Sequence, residues 1–465
     1  MSALMILGTA SHVGKSLITA GLGRIFSDEG VSVAPFKAQN MSLNSAATPD
    51  GREIGRAQAL QAEACRVAPC AEMNPVLIKP SSETGAQVVL LGKVWGQVTA
   101  SDFHQRRVEE LFPAVLESYR TLAARHDLIL LEGAGSPAEI NLRKHDIVNM
   151  RMAHAADASC VLVGDIDRGG VFASLLGTIE LLEPEDRARI RGFIINKFRG
   201  DIELLRPGIE TMEQRLGIPC AGVVPYIRDL GLEEEDSVSM EVKTTGQPKP
   251  DALRIAVAAF PHIANFTDFD ALAAEPSVCL AFINEPAHAD VLILPGSKQT
   301  LDDLEWLRER KIADSWSGIL IGICGGFQML GISIDDPDGV ESHGLPRSMP
   351  GLGLLPVHTT MRAEKTVCRT EGRTALWGGA AFSGYEIHMG ETNQSDPITA
   401  CGNVYGTYIH GLFDSDDLRH KFLDFAGASI KERVCVTARR EARIDRWADH
   451  LRQSLDMDLI HRLIA

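Results

Sequence analysis

A glycine-rich turn near the start of the chain has the residue types of a phosphate-binding loop. Residues 8–16 read Gly-Thr-Ala-Ser-His-Val-Gly-Lys-Ser and lie between a short apolar run and a helical stretch. Backbone N–H groups at such a turn, together with the positive end of the helix dipole, bind phosphate oxygens. Lys15 would reach the β- and γ-phosphates, and the hydroxyl of Ser16 would ligate Mg²⁺. The first glycine of the usual motif comes one residue early, and Thr9 stands in its place.

Acidic residues at the ends of apolar runs are candidates for the metal and the substrate. Glu132 ends one such run, and Asp165 and Asp167 end another. A Mg²⁺–nucleotide site needs a carboxylate at a neighbouring strand end. Acidic residues there are often only helix caps, but the carboxyl ends of parallel strands meet at one sheet edge. We therefore expect Glu132 to ligate Mg²⁺ with Ser16, and Asp165 to contact the substrate.

Polar residues after two other predicted strands complete the first candidate site. Lys37, in Pro-Phe-Lys-Ala-Gln-Asn-Met-Ser-Leu-Asn-Ser, could neutralise a transferring phosphate, and Asn196 and Lys197 could touch the nucleotide base. The polar run after Lys37 suits recognition of a polar substrate, and it contains Gln39, Asn40, Ser42 and Asn44. The candidate ATP-binding residues are Thr9, Ser11, Val13, Gly14, Lys15, Ser16, Lys37 and Asn196.

A cysteine in the second half of the chain has the surroundings of a nucleophile. Residues 322–328 read Gly-Ile-Cys-Gly-Gly-Phe-Gln, after an apolar run and before a helical stretch. This is the shape of a strained strand-to-helix turn, which exposes its central side chain. The start of a helix also favours the thiolate that attacks an acyl carbon. We expect Cys324 to be the nucleophile and the backbone N–H groups of Gly325 and Gly296 to form its oxyanion hole.

The general base should be a histidine distant in sequence from the cysteine. His410 ends the predicted strand 404–409 and precedes a glycine, whereas His388 stands in Gly-Tyr-Glu-Ile-His. A histidine taken alone is more often structural than catalytic. Together with the cysteine elbow, the pattern favours His410 over His388 as the base.

The composition excludes several classes of function. The 465 residues are 45% hydrophobic and 23% charged, as in ordinary folded proteins. Lys and Arg number 46 and Asp and Glu 62, and the resulting net charge of −16 repels nucleic acid and anionic membranes. No apolar run approaches the roughly 20 residues of a membrane span. Nine cysteines without a CxxC pair disfavour a disulfide or zinc framework, so we expect a cytoplasmic protein.

Alternating strand and helix patterns predict an α/β fold in two domains. Unalternating apolar runs are typical of parallel strands covered by helices, and they occur near 3–7, 31–36, 127–131, 159–163, 191–195, 254–259, 290–294 and 318–323, with later strands near 354–357 and 404–409. We divide the chain into domain 1–228, a polar linker 229–251 and domain 252–465. The amphipathic helix at the end of the chain is expected to pack on its own domain.

The motifs of both halves resemble known families. The loop at 8–16 and the segment 35–45 resemble dethiobiotin-synthetase-like amidating ligases, and the second half resembles class I glutamine amidotransferases. The amidotransferase resemblance rests on segments 294–298, 322–328 and 405–411. In this order the chain is similar to the adenosylcobyric acid synthases, and segments 53–58, 73–80 and 384–390 carry that resemblance. It implies an N-terminal P-loop parallel-sheet domain and a C-terminal class I glutamine amidotransferase α/β domain.

The resemblance also implies a reaction in two coupled halves. Cys324 would release ammonia from glutamine, and His410 would move the protons. The first domain would use Mg·ATP to activate the b, d, e and g carboxylates of adenosylcobyrinic acid a,c-diamide, which ammonia would convert to amides. ATP and Mg²⁺ are the implied cofactors, glutamine and the corrinoid the implied partners, and a homo-oligomer is left open. The substrate residues would be Gln39, Asn40, Ser42, Asp165 and Arg168, and the basic residues facing this polycarboxylate would be Lys15, Lys37, Lys79, Arg168, Lys197 and Arg199.

One departure and two alternatives stay open. Many class I glutaminases carry His-Pro-Glu, in which the glutamate orients the imidazole, whereas this chain has His410-Gly411-Leu412. Either another acid such as Glu386 takes that role or the site is a Cys-His dyad. The alternative functions are a cobyrinic acid a,c-diamide synthase and a non-catalytic P-loop binding module with a degenerate amidotransferase domain. The second alternative would be marked by loss of Cys324 or Lys15, and both are present.

Overall fold

The fold contains a parallel six-stranded sheet in the first half of the chain and a mostly parallel six-stranded sheet in the second half. The structure is a computed structural model that describes residues 2–80, 85–99, 108–228, 230–232, 251–314, 316–342, 344–430 and 432–465. Most of the predicted linker 229–251 lies outside the described residues. Among the described helices, none combines the length and the apolar character needed to span a bilayer.

The elements of the first half alternate between strand and helix. Its strands are β1 (Ser2–Gly8), β2 (Val33–Phe36), β3 (Gln39–Met41), β4 (Ser45–Ala47), β5 (Glu53–Gly55), β6 (Val76–Pro80), β7 (Gly85–Leu90), β8 (Lys93–Thr99), β9 (Leu128–Glu132), β10 (Ser159–Asp165), β11 (Ile190–Phe198) and β12 (Cys220–Pro225). Its helices are α1 (Lys15–Asp28), α2 (Arg56–Ala64), α3 (Val108–Ala123), α4 (Met150–Ala155), α5 (Val171–Leu181), α6 (Pro184–Arg187) and α7 (Ile202–Leu216).

The second half has more antiparallel strands than the first. Its strands are β13 (Leu253–Ala258), β14 (Ile263–Ala264), β15 (Val278–Ile283), β16 (Val291–Leu294), β17 (Gly296–Ser297), β18 (Ile319–Ile323), β19 (Ser333–Asp336), β20 (Arg347–Pro350), β21 (His358–Arg373), β22 (Ala381–Thr392), β23 (Ile398–Cys401), β24 (Val404–Thr407) and β25 (Ile409–His410). Its helices are α8 (Asp270–Ala273), α9 (Thr300–Glu309), α10 (Gly325–Leu330), α11 (Asp416–Phe425), α12 (Val436–Ser454) and α13 (Met457–Ile464).

The first sheet has six parallel strands in the order β12-β11-β10-β1-β9-β2. All five residues of β9, Leu-Ile-Leu-Leu-Glu, are buried, because helices cover both faces of this central strand. The apolar runs therefore predicted five of the six strands of this sheet, and they missed the edge strand β12. The carboxyl ends of β1, β9 and β10 lie side by side, which gathers the phosphate loop, Glu132 and Asp165 at one edge.

The second sheet has the order β15-β13-β16-β18-β24-β23, and only the edge strand β23 runs antiparallel. A five-stranded sheet, β20-β19-β21-β22-β25, lies beside it and ends at His410. The predicted strand at 354–357 is wrong. The chain turns there, because Gly353 has a positive φ and Pro356 lacks the N–H that a ladder needs, and β21 begins only at His358.

The two C-terminal helices pack against the first sheet, so the expectation that the last helix packs on its own domain is wrong. Helix α12 lies along α1, where the indole Nε1 of Trp447 donates to the carbonyl of Leu17 at 2.6 Å. The approach is so close that a Cβ on Gly21 would lie 2.4 Å from a methyl of Leu451. Amphipathicity shows that one face of a helix is buried but not which domain buries it.

Candidate functional site

The phosphate loop is held open by one glycine and one asparagine. Gly14 has a φ of 101°, and a Cβ there would lie 2.2 Å from Nδ2 of Asn196. That same Nδ2 donates to the carbonyl of Val13 at 2.8 Å. The backbone N–H of Thr9 donates to Val163 at 2.9 Å, which ties the start of the loop to β10. The side chain of Asn196 therefore supports the loop from the neighbouring strand end.

Lys15 lies across the mouth of the loop. Its Nζ donates to the carbonyls of Ala10 at 2.9 Å and Gly135 at 3.1 Å. Lys15 opens helix α1, so its ammonium and the helix dipole both place positive charge at this point. A phosphate group arriving here would replace the two carbonyls as hydrogen-bond acceptors for the ammonium.

Glu132 is the centre of a buried polar cluster at the sheet edge. Its Oε1 accepts from the Ser16 hydroxyl at 2.7 Å and from Lys37 Nζ at 2.9 Å. Its Oε2 accepts from Gln61 Nε2 at 2.6 Å. The Lys37 and Glu132 side chains are 4% and 0% exposed, so the ion pair is shielded from water. The predicted metal residues, Ser16 and Glu132, are thus brought together.

A cavity of about 500 Å³ opens beside this cluster. It is lined by residues of the loop, of the segment after β2 and of the chain that follows β9. The predicted residues on its wall are Ser11, Lys15, Lys37, Gln39 and Asn40. Ser42 is not among its lining residues; it is buried, and its Oγ accepts from the N–H of Asn44 at 3.0 Å.

A second cleft, of about 840 Å³, lies on the other side of the loop, between the two halves of the chain. Asp165, Arg168 and Asn196 line it, together with residues of the second half such as Asp270. Lys197 Nζ bridges this wall, donating to Asp165 at 2.9 Å and to the carbonyl of His12 at 2.7 Å. The five predicted substrate residues therefore do not share one cavity, since Asp165 and Arg168 lie on the side of Asn196.

Cys324 stands on a strained turn between β18 and α10. Its φ of 52° and ψ of −109° are rarely adopted by a residue with a side chain. The glycines around it permit the turn: a Cβ on Gly326 would lie 2.0 Å from the carbonyl oxygen of Leu294, and one on Gly322 would lie 2.5 Å from that of Gly326. The predicted elbow is present in the structure.

His410 lies in the cavity of Cys324 and is oriented by an aspartate. The His410 Nδ1 atom lies 2.7 Å from Asp268 Oδ2, and the other oxygen of Asp268 accepts from the N–H of Gly411 at 3.0 Å. Burial lowers the pKa of His410, but the charge of Asp268 and hydrogen bonds with Asp268 and Cys324 outweigh it and raise the pKa to about 10. The raised pKa favours the imidazolium form of His410.

The rival histidine and the rival acid are engaged with each other. His388 Nδ1 lies 2.7 Å from the carbonyl of Gly390, and its Nε2 lies 3.2 Å from Glu386 Oε2. Its ring is stacked on Tyr408 with a centroid distance of 3.7 Å. Of the two alternatives left open by the sequence, the structure shows another acid rather than a dyad. That acid is Asp268 and not Glu386, because Asp268 holds the imidazole of His410.

One of the two predicted oxyanion-hole donors, the backbone N–H of Gly296, is engaged elsewhere. Gly296 pairs with Ala264 in a short antiparallel ladder, in which Lys298 N–H donates to the carbonyl of His262 at 2.9 Å. Hydrogen-bonded pairs alternate along such a ladder, so the N–H of Gly296 faces Ala264 rather than an oxyanion. Ser297 N lies next to Gly325, at 2.9 Å from the position of a Cβ built there. The prediction of Gly296 as a donor conflicts with this pairing.

A buried charged cluster joins the two halves beside the Cys324 cavity. Glu53 of β5 is paired with Lys79 of β6 and, at 2.5 Å, with Lys365 of β21. Burial raises the pKa of Glu53, but the two ammonium charges outweigh it and hold the pKa well below its usual range. Lys79 was expected near the first site, and the structure instead places it on the wall of the Cys324 cavity.

Each half of the chain matches the model of a known protein family. Residues 4–238 match the family model described as the CobQ/CobB/MinD/ParA nucleotide binding domain. Residues 254–418 match the CobB/CobQ-like glutamine amidotransferase domain. A nucleotide-binding sheet joined to an amidotransferase half defines a glutamine-dependent carbon–nitrogen ligase, and the predicted α/β fold class is confirmed.

The chain belongs to the cobyric acid synthase family, and the resemblance seen in the sequence is confirmed. It is 49% identical over 491 residues to the cobyric acid synthase of Methylorubrum populi, with 99% of each chain covered. The cobyric acid synthase of Syntrophobacter fumaroxidans is 43% identical over 510 residues, covering 99% of this chain and 98% of the relative. That of Sorangium cellulosum is 45% identical over 519 residues, with the same coverage.

Two functional residues lacked a recognisable signal in the sequence. Asp268 lies in Asn-Phe-Thr-Asp-Phe-Asp, far from His410 and outside any motif. Gln61 follows the Glu-Ile-Gly-Arg-Ala-Gln segment on α2, and only the folded chain brings it to Glu132. A charged or amide residue on a helix face or in a turn is too common to be singled out before its partner is known.

Proposed function

We propose that the chain converts adenosylcobyrinic acid a,c-diamide to adenosylcobyric acid by amidating its b, d, e and g carboxylates, with ATP and glutamine as co-substrates. The observation that carries this proposal is the presence of two separate reaction centres in one chain. One is the Cys324–His410–Asp268 arrangement, and the other is the Lys15–Ser16–Glu132 edge. The first suits release of ammonia, and the second suits activation of a carboxylate.

In the amidotransferase half, the thiolate of Cys324 attacks the side-chain amide carbon of glutamine. The imidazolium of His410 donates the proton with which nitrogen leaves as ammonia, and a thioester remains. Water then hydrolyses the thioester, with His410 accepting a proton, and glutamate is released. The N–H groups of Ser297 and Gly325 are the proposed donors to the oxyanion, since each such donor is typically worth about 3 kcal/mol in the transition state.

In the ligase half, a carboxylate of the corrinoid attacks the γ-phosphate of ATP, and ADP leaves. The acyl phosphate then reacts with ammonia, which forms the amide and releases phosphate. Lys15 and Lys37 neutralise charge on the transferred group. Ser16 Oγ and Glu132 Oε1 lie 2.7 Å apart, and this pair of hard oxygen ligands fits Mg²⁺, which supplies further positive charge to the phosphates when bound.

The cavities suggest how the two ligands are placed. The cleft at Asn196 and Asp165 accommodates the nucleoside, and the cavity at Lys37, Gln39 and Asn40 accommodates the carboxylate to be amidated. The relatives carry the name cobyric acid synthase, which favours the four-carboxylate substrate over the a and c positions. Both Cys324 and Lys15 are in place, which disfavours a degenerate binding module.

Mass spectrometry of the products tests the proposal. The protein is incubated with ATP, Mg²⁺ and glutamine, and with either the a,c-diamide or the unamidated corrinoid. We expect four added amides on the a,c-diamide and none at the a and c positions of the unamidated corrinoid. Amidation restricted to a and c would show that the other synthase is the correct assignment. Lys15→Ala serves as the control: it should stop ATP turnover and leave glutamine hydrolysis detectable.

A further inference from the structure

The turn that carries Asp268 is held in place by the ligase half. Asn44 Oδ1 accepts from the N–H of Phe266 at 3.1 Å, and the N–H of Ser45 donates to Asn265 Oδ1 at 2.9 Å. Both bonds cross from the first half of the chain to the second. The 3₁₀ turn Phe266–Phe269 between these contacts and His410 contains Asp268. Two hydrogen bonds from the ligase half therefore end next to the aspartate of the glutaminase site.

The backbone of this turn is strained and buried. Asn265 has a φ of 53°, a left-handed conformation that few residues with a side chain adopt. Its carbonyl accepts from the N–H of Asp268 at 3.0 Å, which links the strained residue directly to the aspartate. Such a conformation persists only where its surroundings fix it. The surroundings here include Asn44 and Ser45.

The residues of the ligase half that make these contacts are themselves buried. Asn44 and Ser45 are 2% and 1% exposed, and the carbonyl of Ser45 accepts from the hydroxyl of Tyr385 at 2.9 Å. Tyr385 stacks on the ring of His410 with a centroid distance of 5.5 Å. Asn44 and Ser45 thus contact the structure on both sides of the imidazole of His410. One contact is with the turn that carries Asp268, and the other is with Tyr385.

We infer that Asn44, in the ligase half, is a positioning residue for the glutaminase reaction. Its amide oxygen fixes the N–H of Phe266, which holds the turn so that Asp268 meets Nδ1 of His410. The glutaminase site is thereby complete only when the ligase half is docked. This inference rests on the proposed function, and it assigns to Asn44 a role different from contact with the corrinoid.

The test compares two substitutions at Asn44. Asn44→Leu keeps the size of the side chain but removes the acceptor, whereas Asn44→Asp keeps an acceptor oxygen. A misplaced catalytic group can cost up to roughly 100-fold, so we expect Asn44→Leu to lower kcat for glutamine hydrolysis by about 10- to 100-fold. Its KM for glutamine should stay within about twofold of wild type. Asn44→Asp should recover most of the lost kcat, because the acceptor is restored.

Ammonia-dependent amidation and a matched variant provide the controls. Ammonia-dependent amidation by Asn44→Leu should equal that of wild type, since it bypasses Cys324 and His410. Arg369→Met removes another bond across the same interface, Arg369 Nε to the carbonyl of Ala47 at 3.4 Å, and should leave kcat for glutamine hydrolysis unchanged. Wild-type kcat in Asn44→Leu, or a parallel loss of both amidation activities in a folded variant, would overturn the inference.

A second variant keeps the inference testable if Asn44→Leu does not fold. Asn265→Gly suits the positive φ of this position and removes the acceptor for Ser45 N–H, together with a side chain that lines the Cys324 cavity. We expect it to lower kcat for glutamine hydrolysis in the same way; an unchanged kcat would contradict the inference. If wild-type protein itself hydrolysed no glutamine, the proposed function would fail instead, so the two failures are distinguishable.

Discussion

Asp268 Oδ2 lies 2.7 Å from Nδ1 of His410, although the two residues are 142 positions apart in the chain. With Nδ1 engaged, Nε2 is the ring atom left to face Cys324. The second oxygen of Asp268 holds the N–H of Gly411, so the carboxylate fixes both the ring and the backbone beside it. In the glutaminase half, the histidine thus lies between the cysteine and the aspartate, which is the spatial arrangement of a catalytic triad.

Asp268→Asn should leave the fold intact and disable the glutaminase. An amide presents a donor as well as an acceptor to the imidazole. The comparable substitution in the triad of a serine protease costs about 10⁴-fold in kcat. We expect a loss of roughly 10²- to 10⁴-fold in kcat for glutamine hydrolysis. Ammonia-dependent amidation serves as the reference. A kcat near that of wild type would show that Asp268 does not orient the base.

His410 should make stability depend on pH in the alkaline range. Burial opposes its charged form, but Asp268 and Cys324 raise its folded pKa to about 10, above the ordinary value of 6.5. A raised pKa stabilises the folded state fully below about pH 6.5, and this stabilisation is lost as the pH rises through 10. The difference in Tm between wild type and His410→Gln should therefore be largest at pH 6 and shrink towards pH 10. A constant difference would contradict the raised pKa.

Gly14→Ala should weaken nucleotide binding. The φ of 101° and the side chain of Asn196 leave no room for a methyl group. A cost of about 1.4 kcal/mol corresponds to a tenfold loss in affinity, so we expect at least about tenfold weaker ATP binding by calorimetry. Gly30→Ala is the matched control, because Gly30 also has a positive φ but has open space where the Cβ would be. Equal affinities in both variants would refute the role of the loop.

Trp447 should matter for stability of the first domain, although it lies near the C-terminus. Trp447→Ala removes a buried side chain on α12 and should lower the free energy of unfolding by about 3–5 kcal/mol. Trp447→Phe loses mainly the hydrogen bond to Leu17 and should cost about 1 kcal/mol. Arg446→Ala, on the exposed face of the same helix, should cost little. The measurement is urea denaturation followed with a probe in the first domain; equal midpoints for all three variants would contradict the packing of α12.

The features that could be predicted from the sequence are those formed by residues adjacent in the chain. The phosphate loop and the elbow are runs of adjacent residues, and the backbone alone brings Lys15 or Cys324 to its place. The parallel strands were recognisable because burial on both faces makes them continuously apolar, as in β9. In contrast, Asp268 and the packing of Trp447 depend on contacts between distant segments, for which hydrophobic periodicity and motif spacing provide no direct signal.

The division of labour between the two centres can be tested by removing the nucleophile. Cys324→Ser protein is supplied with the a,c-diamide, Mg·ATP and either glutamine or an ammonium salt, and the amides added are counted by mass spectrometry. We predict no amidation with glutamine and retained amidation with ammonium, because the ligase half needs only free ammonia. Loss of amidation with both nitrogen sources in a folded variant would contradict the assignment of two separate reaction centres.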